Sequence, residues 1–433
     1  MLTVAYLANQ FPSPVEPYVG DEIEELRRRG VRVIAGSVRH PAGRVRSSPE
    51  HNGDSEFVVL QPMSITLAVK AAWLCCRHGW RIAKLIQRAL LRGRETPMQR
   101  VKALLHTWLG ACYALRLENL GVEHIHVHHG YFGSWIAMVA ARLLNVSYSL
   151  TLHGSDLLTH AAYLDTKLEN CRFCVTISEY NRRYILDHYS SIEPANVLVA
   201  RLGVDVPEAP RTTAARGRRH GDSQFQLLAM GRLHAVKDYA FLLQACAQLR
   251  QHGLDFKCEI AGEGPERRNL ERLIQAHGLE DQICLLGYVP RERHDGLYQK
   301  ADLVVLTSRS EGIPLVLMEA MAREKIVLAP AITGIPELVI AGETGFLYQP
   351  KSIDDFVAQV LCLRELMSWR PSGDSLEVPR TSQLDWVRYR AGAQVRQNFN
   401  RDKNLQSFGD LFLERIAGQH ERSQYEDPLL QQI

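Results

Sequence analysis

Residues 310–322 read Ser310-Glu311-Gly312-Ile313-Pro314-Leu315-Val316-Leu317-Met318-Glu319-Ala320-Met321-Ala322. The apolar run 301–306 before them predicts a buried strand. Glu311 and Gly312 then fall in a short turn, and a helix begins near Pro314, because proline suits the first helical position. The free N–H groups at such a helix start can receive a phosphate or a leaving-group oxygen. Glu319 lies within the helix among Val316, Leu317, Met318 and Met321. A carboxylate there is costly unless it faces a ligand, for instance vicinal hydroxyls. An ordinary solvent-facing glutamate is the plainer alternative.

The strand–turn–helix pattern recurs in both directions. Toward the C-terminus, strands are predicted at 225–229, 257–261, 283–286, 303–306 and 326–329, with helical stretches between them. Toward the N-terminus, the same alternation starts at Met1-Leu2-Thr3-Val4-Ala5-Tyr6-Leu7 and continues through 31–34, 125–127, 148–152, 175–177 and 197–199. Alternating short strands and helices imply parallel sheets covered on both faces. Residues 205–223 carry Pro207, Pro210 and the polar run from Arg211 to Arg219, the composition of an interdomain linker. The reading is an α/β chain with a first Rossmann-like domain over 1–204 and a second over 224–384. A closing helical segment and polar tail occupy 385–433. Ligands of open parallel sheets gather at the carboxyl ends of strands.

Composition narrows the function. The chain has 433 residues, 46% hydrophobic and 23% charged, enough apolar material for two cores. Its 51 basic and 48 acidic residues leave a net charge of +3, which gives no general case for nucleic acid. Nine cysteines without framework spacing read as reduced thiols, and the lone Cys171-x-x-Cys174 lacks the second pair of a zinc site. The N-terminus reads as a strand with no basic leader, and no window of about 18 apolar residues would span a bilayer. Residues 57–116 break the alternation. Ten basic residues there face only Glu95, interleaved with Trp73, Trp80, Leu90, Leu91 and Trp108. Two readings stay open: helices lying on an anionic membrane, or a helical insertion packed on its own domain.

Further motifs sit at predicted strand ends. Gly231-Arg232 closes one strand and Lys237 opens the next helix, so a guanidinium and an ammonium could meet a diphosphate. Gly262-Glu263-Gly264-Pro265-Glu266-Arg267 resembles the dinucleotide fingerprint, but Arg267 occupies its last glycine position. His153-Gly154 ends a strand in the first domain and suits a sugar hydroxyl. His124, His126, His128 and His129 invite a metal, yet three alternate along a strand with no acidic partner pattern, which favours packing and polar contacts. No Asp-x-Asp follows a strand to clamp a divalent metal on a diphosphate. Glu311 and Glu319 are eight residues apart, roughly 12 Å along a helix, against the roughly 5–9.5 Å of a hydrolytic pair.

Together these residues resemble the family 4 retaining glycosyltransferases of the GT-B fold. The resemblance rests on Glu311-x7-Glu319, Gly231-Arg232 with Lys237, Gly262-x-Gly264-Pro265, Thr151-x-His153-Gly154-x-Asp156, Gly203-Val204-Asp205, and Thr333-Gly334-Ile335-Pro336-Glu337 followed by Gly342-x-Thr344-Gly345. The opening, Phe11-Pro12 and Glu16 before Glu22-Ile23, is similar to the bacterial exopolysaccharide branch of colanic-acid type. The resemblance implies two Rossmann-like domains facing a central cleft, the first binding an acceptor and the second a nucleotide sugar. It implies that Arg232 and Lys237 bind the donor diphosphate, Glu319 the ribose hydroxyls and Glu311 the donor sugar. The backbone of Gly312, Ile313, Pro314 and Leu315 would meet sugar and phosphates, beside Gly231, Gly262, Glu263 and Gly264, and His153 would contact the sugar across the cleft. No cofactor or resident metal is implied. Partners would be the nucleotide sugar and a saccharide or lipid-linked acceptor, without nucleic acid, in the cytoplasm or on the inner membrane face. Asp238 departs from the glycine usual after the lysine, and the N-terminal loop lacks a glycine pair. A nucleotide-sugar epimerase or phosphorylase on the same scaffold, and a catalytically dead membrane-surface or polysaccharide-binding subunit, are the alternatives.

Overall fold

Runs rich in Val, Ile and Leu, bounded by Gly and polar turns, become the parallel strands of two separate sheets. The computed structural model describes residues 1–13, 16–39, 57–61, 63–158, 162–207, 224–368 and 380–425. The chain divides into two compact units, 1–200 with 405–433, and 201–404.

The first unit holds strands β1 (Thr3–Gln10), β2 (Arg32–Arg39), β3 (Phe57–Val59), β4 (His124–His128), β5 (Ser147–Leu152), β6 (Cys174–Thr176) and β7 (Val197–Val199). Their order is β3-β2-β1-β4-β5-β6-β7, with every pair parallel. The order reverses between β1 and β4, whose carboxyl ends therefore flank a crevice. One face of the sheet is sealed by helix Phe132–Leu144, whose buried Trp135, Ile136, Met138 and Val139 pack under helix Pro97–Leu117. The other face is covered by helix Pro17–Arg28 and by Phe408 and Phe412 of helix Arg401–Tyr425.

The second unit holds β8 (Phe225–Met230), β9 (Phe256–Ala261), β10 (Ile283–Gly287), β11 (Leu303–Val305), β12 (Ile326–Pro330) and β13 (Phe346–Tyr348), in the order β10-β9-β8-β11-β12-β13, again all parallel. Its reversal point lies between β8 and β11, where Leu303 pairs Leu227 and Val304 pairs Leu228.

The structure corrects several boundaries. The closing segment is not one body: helix Arg380–Asn398 packs in the second unit, and 405–433 belongs to the first. The return is fixed where Val204 bridges Asn400; a side chain at Gly203 would lie 2.5 Å from the Arg401 nitrogen, which explains the glycine before Val204 and Asp205. Of the expected linker, only 205–207 lie among the described residues. The expected helical insertion begins as a strand, since 57–59 form the sheet edge, and β13 was not foreseen. Within 65–117 the helices pack on their own unit, as one of the two readings of the basic stretch expects. Ile82, Leu85, Ala89 and Ala103 pack into the unit's own core, while Ile65, Val69, Trp73, Trp80, Leu91, Met98, Val101 and Leu105 remain exposed.

Candidate functional site

In the second unit the carboxyl ends of β8 and β11, neighbours at the reversal point, bring the predicted donor residues together. The chain leaves β8 through Gly231, whose φ of +152° suits glycine, and β9 through Gly262 at +153°. The two turns touch: a Cβ on Gly262 would sit 1.8 Å from the Gly231 oxygen, and one on Gly264 2.3 Å from the Leu233 oxygen. Leu233 N–H donates to the Glu263 carbonyl, and Glu266 N–H donates to the Leu233 carbonyl. The glycines thus allow two backbones to lie side by side. Glu263 itself pairs with Arg267 at 2.9 Å, so the residue that spoils the dinucleotide fingerprint holds this loop from its side chain.

Lys237 does not open a helix as expected. It ends a 3-10 turn, Ala235–Lys237, and helix Tyr239–Gln251 follows after Asp238. Asp238 has a left-handed φ of +49°, which accounts for the glycine usual there. Its carboxylate accepts both Arg309 Nε at 2.7 Å and Nη2 at 2.9 Å, a fork that ties the turn to the chain beyond β11. Thr307 Oγ1 donates to the Lys237 carbonyl, and Arg309 N–H to that of Val236. These bonds aim Lys237 Nζ at Glu311 Oε1, 2.5 Å away, with both side chains largely buried. Arg232 is exposed, and among the described residues its guanidinium has no ion-pair or hydrogen-bond partner.

The Glu311–Gly312 turn is held from behind by Thr333, whose hydroxyl donates to the Glu311 carbonyl at 2.6 Å. Gly334 lets the turn approach, since a Cβ there would lie 2.1 Å from the Gly312 oxygen. The hydroxyls of Ser308 and Ser310 are buried without a partner among the described residues. Pro314 caps helix Leu315–Ala322 rather than beginning it, because its ψ of 120° is extended; Ile313 beside it is buried. Glu319 lines a polar pocket with Asp205, Arg291, His294 and Arg323. Its Oε2 accepts the Tyr298 hydroxyl at 2.9 Å and lies 3.5 Å from His294 Nδ1. Burial pushes the carboxyl up, but His294 and Tyr298 outweigh it and hold the group below the usual range. Both contacts fall on Oε2, which leaves Oε1 for a ligand. His294 and Tyr298 were not singled out in the sequence; they lie in a polar stretch without motif character.

In the first unit, His124, His126 and His128 do point to one face of β4, matched across to Ser147, Ser149 and Thr151 of β5. His124 bonds Ser147 and Ser149, and His126 bonds Ser149 and Thr151, at 2.7–3.0 Å. An acidic partner, not foreseen, arrives from another element: Glu22 of helix Pro17–Arg28 lies 3.1 Å from His128 Nε2. Glu22, His126 and His128 offer ligand atoms within 4.8 Å of one another. The ring nitrogens of both histidines are already spent on Ser149, Thr151, His153 and Glu22.

His153 follows β5. Asp156, fully buried, accepts the backbone N–H groups of His153, Gly154 and Gly130 at 2.8–3.0 Å. Burial would raise its carboxyl, but His129 and the Gly130 N–H hold it far below the ordinary range. His129 sits 3.6 Å from Asp156 and 3.2 Å from Glu16. Burial would lower its pKa, yet the two carboxylates raise it to about 9. Burial first, and then the nearby charge of His129, pushes His153 well below its usual value.

The His129 shift has a measurable sign. Its folded pKa of about 9 exceeds the ordinary 6.5, so the stabilisation is complete below pH 6.5 and disappears as pH rises through 9. Thermal unfolding across that window should cost the native protein about 3 kcal/mol more than His129→Gln. Parallel melting curves for the two proteins would contradict the ion triad.

Residues 211–366 match the family model described as glycosyl transferases group 1. Over those residues the chain is similar to the group 1 glycosyltransferases. WcaL of Salmonella typhimurium, a glycosyltransferase named for colanic acid biosynthesis, is 34% identical over 214 residues, 48% of each chain. The amylovoran biosynthesis glycosyltransferase AmsK of Erwinia amylovora is 26% identical over 350 residues, 79% of this chain and 76% of its own. Of solved structures, Anabaena HepE in complex with UDP-glucose superposes with a TM-score of 0.67 at 18% identity, covering 96% of this chain and all of the other. The two parallel sheets are those of the GT-B fold. The chain spans about half the length of the Salmonella relative.

Proposed function

We propose that this protein transfers a glycosyl group from a nucleotide sugar to a lipid-linked saccharide acceptor, with retention at the anomeric carbon, in polysaccharide biosynthesis. The observation that carries the reading is the convergence of Arg232, Lys237 and the amino end of helix Leu315–Ala322 on one reversal point. As the glycosidic C–O bond stretches, negative charge grows on the departing diphosphate, and two cations with a helix start stabilise it. Lys237, held by Glu311, is positioned before the donor arrives. Glu311 takes the donor sugar hydroxyls and the free oxygen of Glu319 the ribose. The backbone of Gly312–Leu315 lies against sugar and phosphates, and His153 bonds a sugar hydroxyl. The leaving phosphate serves as base for the acceptor hydroxyl.

The HepE structure holds UDP-glucose, which supports beginning with UDP-sugars. Incubation with UDP-, GDP- and ADP-sugars and lipid-linked oligosaccharides, with NMR of the product, tests the reading. An α-linked product from an α-donor is expected. Donor isomerised without acceptor would mean an epimerase instead. Glu319→Ala should weaken nucleotide binding about tenfold by calorimetry, the loss of one charge-assisted hydrogen bond; unchanged affinity would remove Glu319 from the ribose.

The exposed apolar side chains of 65–105 alternate with exposed Lys70, Arg77, Lys84, Arg92, Arg94 and Lys102, while the single acid, Glu95, is paired with Arg88 at 3.0 Å. That combination suits an anionic bilayer and so a lipid-linked acceptor. No helix among the described residues is long and apolar enough to cross a membrane. Flotation with phosphatidylglycerol vesicles should be strong, weak with phosphatidylcholine, and about tenfold lower for Trp73→Ser/Trp80→Ser. Equal flotation with both lipids would count against a charged docking face.

A further inference from the structure

We infer that Glu22 and His128 are positioning residues that fix His153 with its hydrogen on Nε2, leaving Nδ1 as a bare acceptor for a sugar hydroxyl. The argument follows hydrogens along one chain of contacts. The Tyr6 hydroxyl donates to Glu22 Oε2, and its own titration is pushed far up by burial and by Glu22. An ionised carboxylate only accepts, so His128 Nε2, 3.1 Å from the same oxygen, carries a hydrogen. The Tyr6 oxygen, 3.3 Å away, has given its hydrogen to Glu22 and can share that bond. His128 Nδ1 then holds a lone pair. It lies 3.0 Å from His153 Nε2, and two ring nitrogens that close share one hydrogen, which must come from His153.

Neutral His153 has one hydrogen, already given to Nε2. Its Nδ1 has no partner among the described residues, and the residue is half-buried. A doubly protonated His128 would reverse the shared hydrogen. That state places a second buried cation beside His129, whose ring centre is 6.3 Å from that of His128 and 4.5 Å from that of His153. His126 packs edge-on at 5.3 Å and is itself held neutral by burial. Tyr18 packs against His153 at a tilt of 32°, with the ring centres 4.7 Å apart.

The consequence is a selection rule: the group facing His153 must donate. A hydroxyl fits, whereas a fluorine or a methoxy group in its place does not. This rests on the proposal that His153 meets the donor sugar, and the two fail separately in the test. Nitrogen NMR of the full chain with labelled histidine, assigned through His153→Gln and His128→Gln, reads the tautomers without ligand. His153 should show a protonated Nε2 and a bare Nδ1, and His128 the same pattern. A hydrogen on His153 Nδ1, or a cationic His128, at neutral pH would overturn the relay.

Glu22→Leu removes the acceptor, so the Tyr6 hydroxyl turns to His128 Nε2 and every hydrogen in the chain reverses. His153 should then show Nδ1–H, with the KM for UDP-glucose raised about tenfold and kcat changed less. Glu22→Gln keeps an acceptor oxygen and should restore the native pattern; Glu22→Leu with an unaltered His153 tautomer would overturn the assignment. If Glu22→Leu does not fold, the native spectrum decides alone. Should the tautomers be as stated while UDP-glucose leaves the His153 Nδ1 resonance unmoved, the relay stands and the contact with that sugar fails.

Discussion

Arg232→Ala is expected to lower turnover by roughly 100–1000-fold, the usual loss when one preorganised charge-stabilising group is removed, with the melting temperature unchanged. The separation of the two effects follows from the side chain's surroundings. Arg232 is exposed and bonds nothing among the described residues, so its removal leaves no buried group unpaired and disturbs no packing. Its partner in the proposed mechanism behaves differently. Lys237→Ala should cost a similar factor in turnover and also stability, because Glu311, with its side chain 13% exposed, loses the ammonium 2.5 Å away. Steady-state kinetics and thermal melts of both variants, run together, check the pair. Native turnover in Arg232→Ala would take that residue off the diphosphate; a large fall in its melting temperature would assign it to the fold.

Gly262→Ala is expected to be the most disruptive single methyl group in the second unit. The added carbon would lie 1.8 Å from the Gly231 oxygen, and the backbone φ of +153° is one that side chains rarely adopt. The atom it meets is backbone, at the turn that presents Arg232, so neither side can yield without moving the site. Strain and clash together cost about 3 kcal/mol or more, and nucleotide binding should disappear even where the protein remains folded. Gly253→Ala, also at positive φ but with open space around it, is the control and should cost only the backbone term, about 1 kcal/mol. Chemical denaturation with nucleotide calorimetry reads both; equal effects of the two substitutions would mean that the crossing of the two turns is unimportant.

The sequence carried the fold because its strands are buried on both faces and read as apolar runs between glycine and polar turns. The strands at 57–59 and 346–348 escaped that reading, although they are no shorter than β7, which it found. The residues proposed to bind the donor stood out for a similar reason. Gly231, Gly262, Gly264 and Glu311 stand at strand ends, where special backbone or an isolated charge is conspicuous. What holds them was not. Asp238 looked like a departure from pattern, and only its left-handed backbone and its fork with Arg309 show why an aspartate serves there. His294 and Tyr298 reach Glu319 from a different helix, and Glu22 reaches His128 from over a hundred positions away. Pairings of that kind are decided by sheet order, which local spacing does not encode.

The helix that returns from residue 401 has a consequence for synthesis. Phe408 and Phe412 cover Val4, Tyr6, Ile23 and Phe173, and Phe412 meets the rings of His124 and His126 edge-on at 5.2–5.9 Å. As the polypeptide leaves the ribosome, helix Pro17–Arg28 can cover part of that sheet face, and the rest is closed only by residues that follow the second unit. The nascent first unit therefore cannot mature in order of appearance. Its packing is completed only after the chain has passed through the second unit and come back.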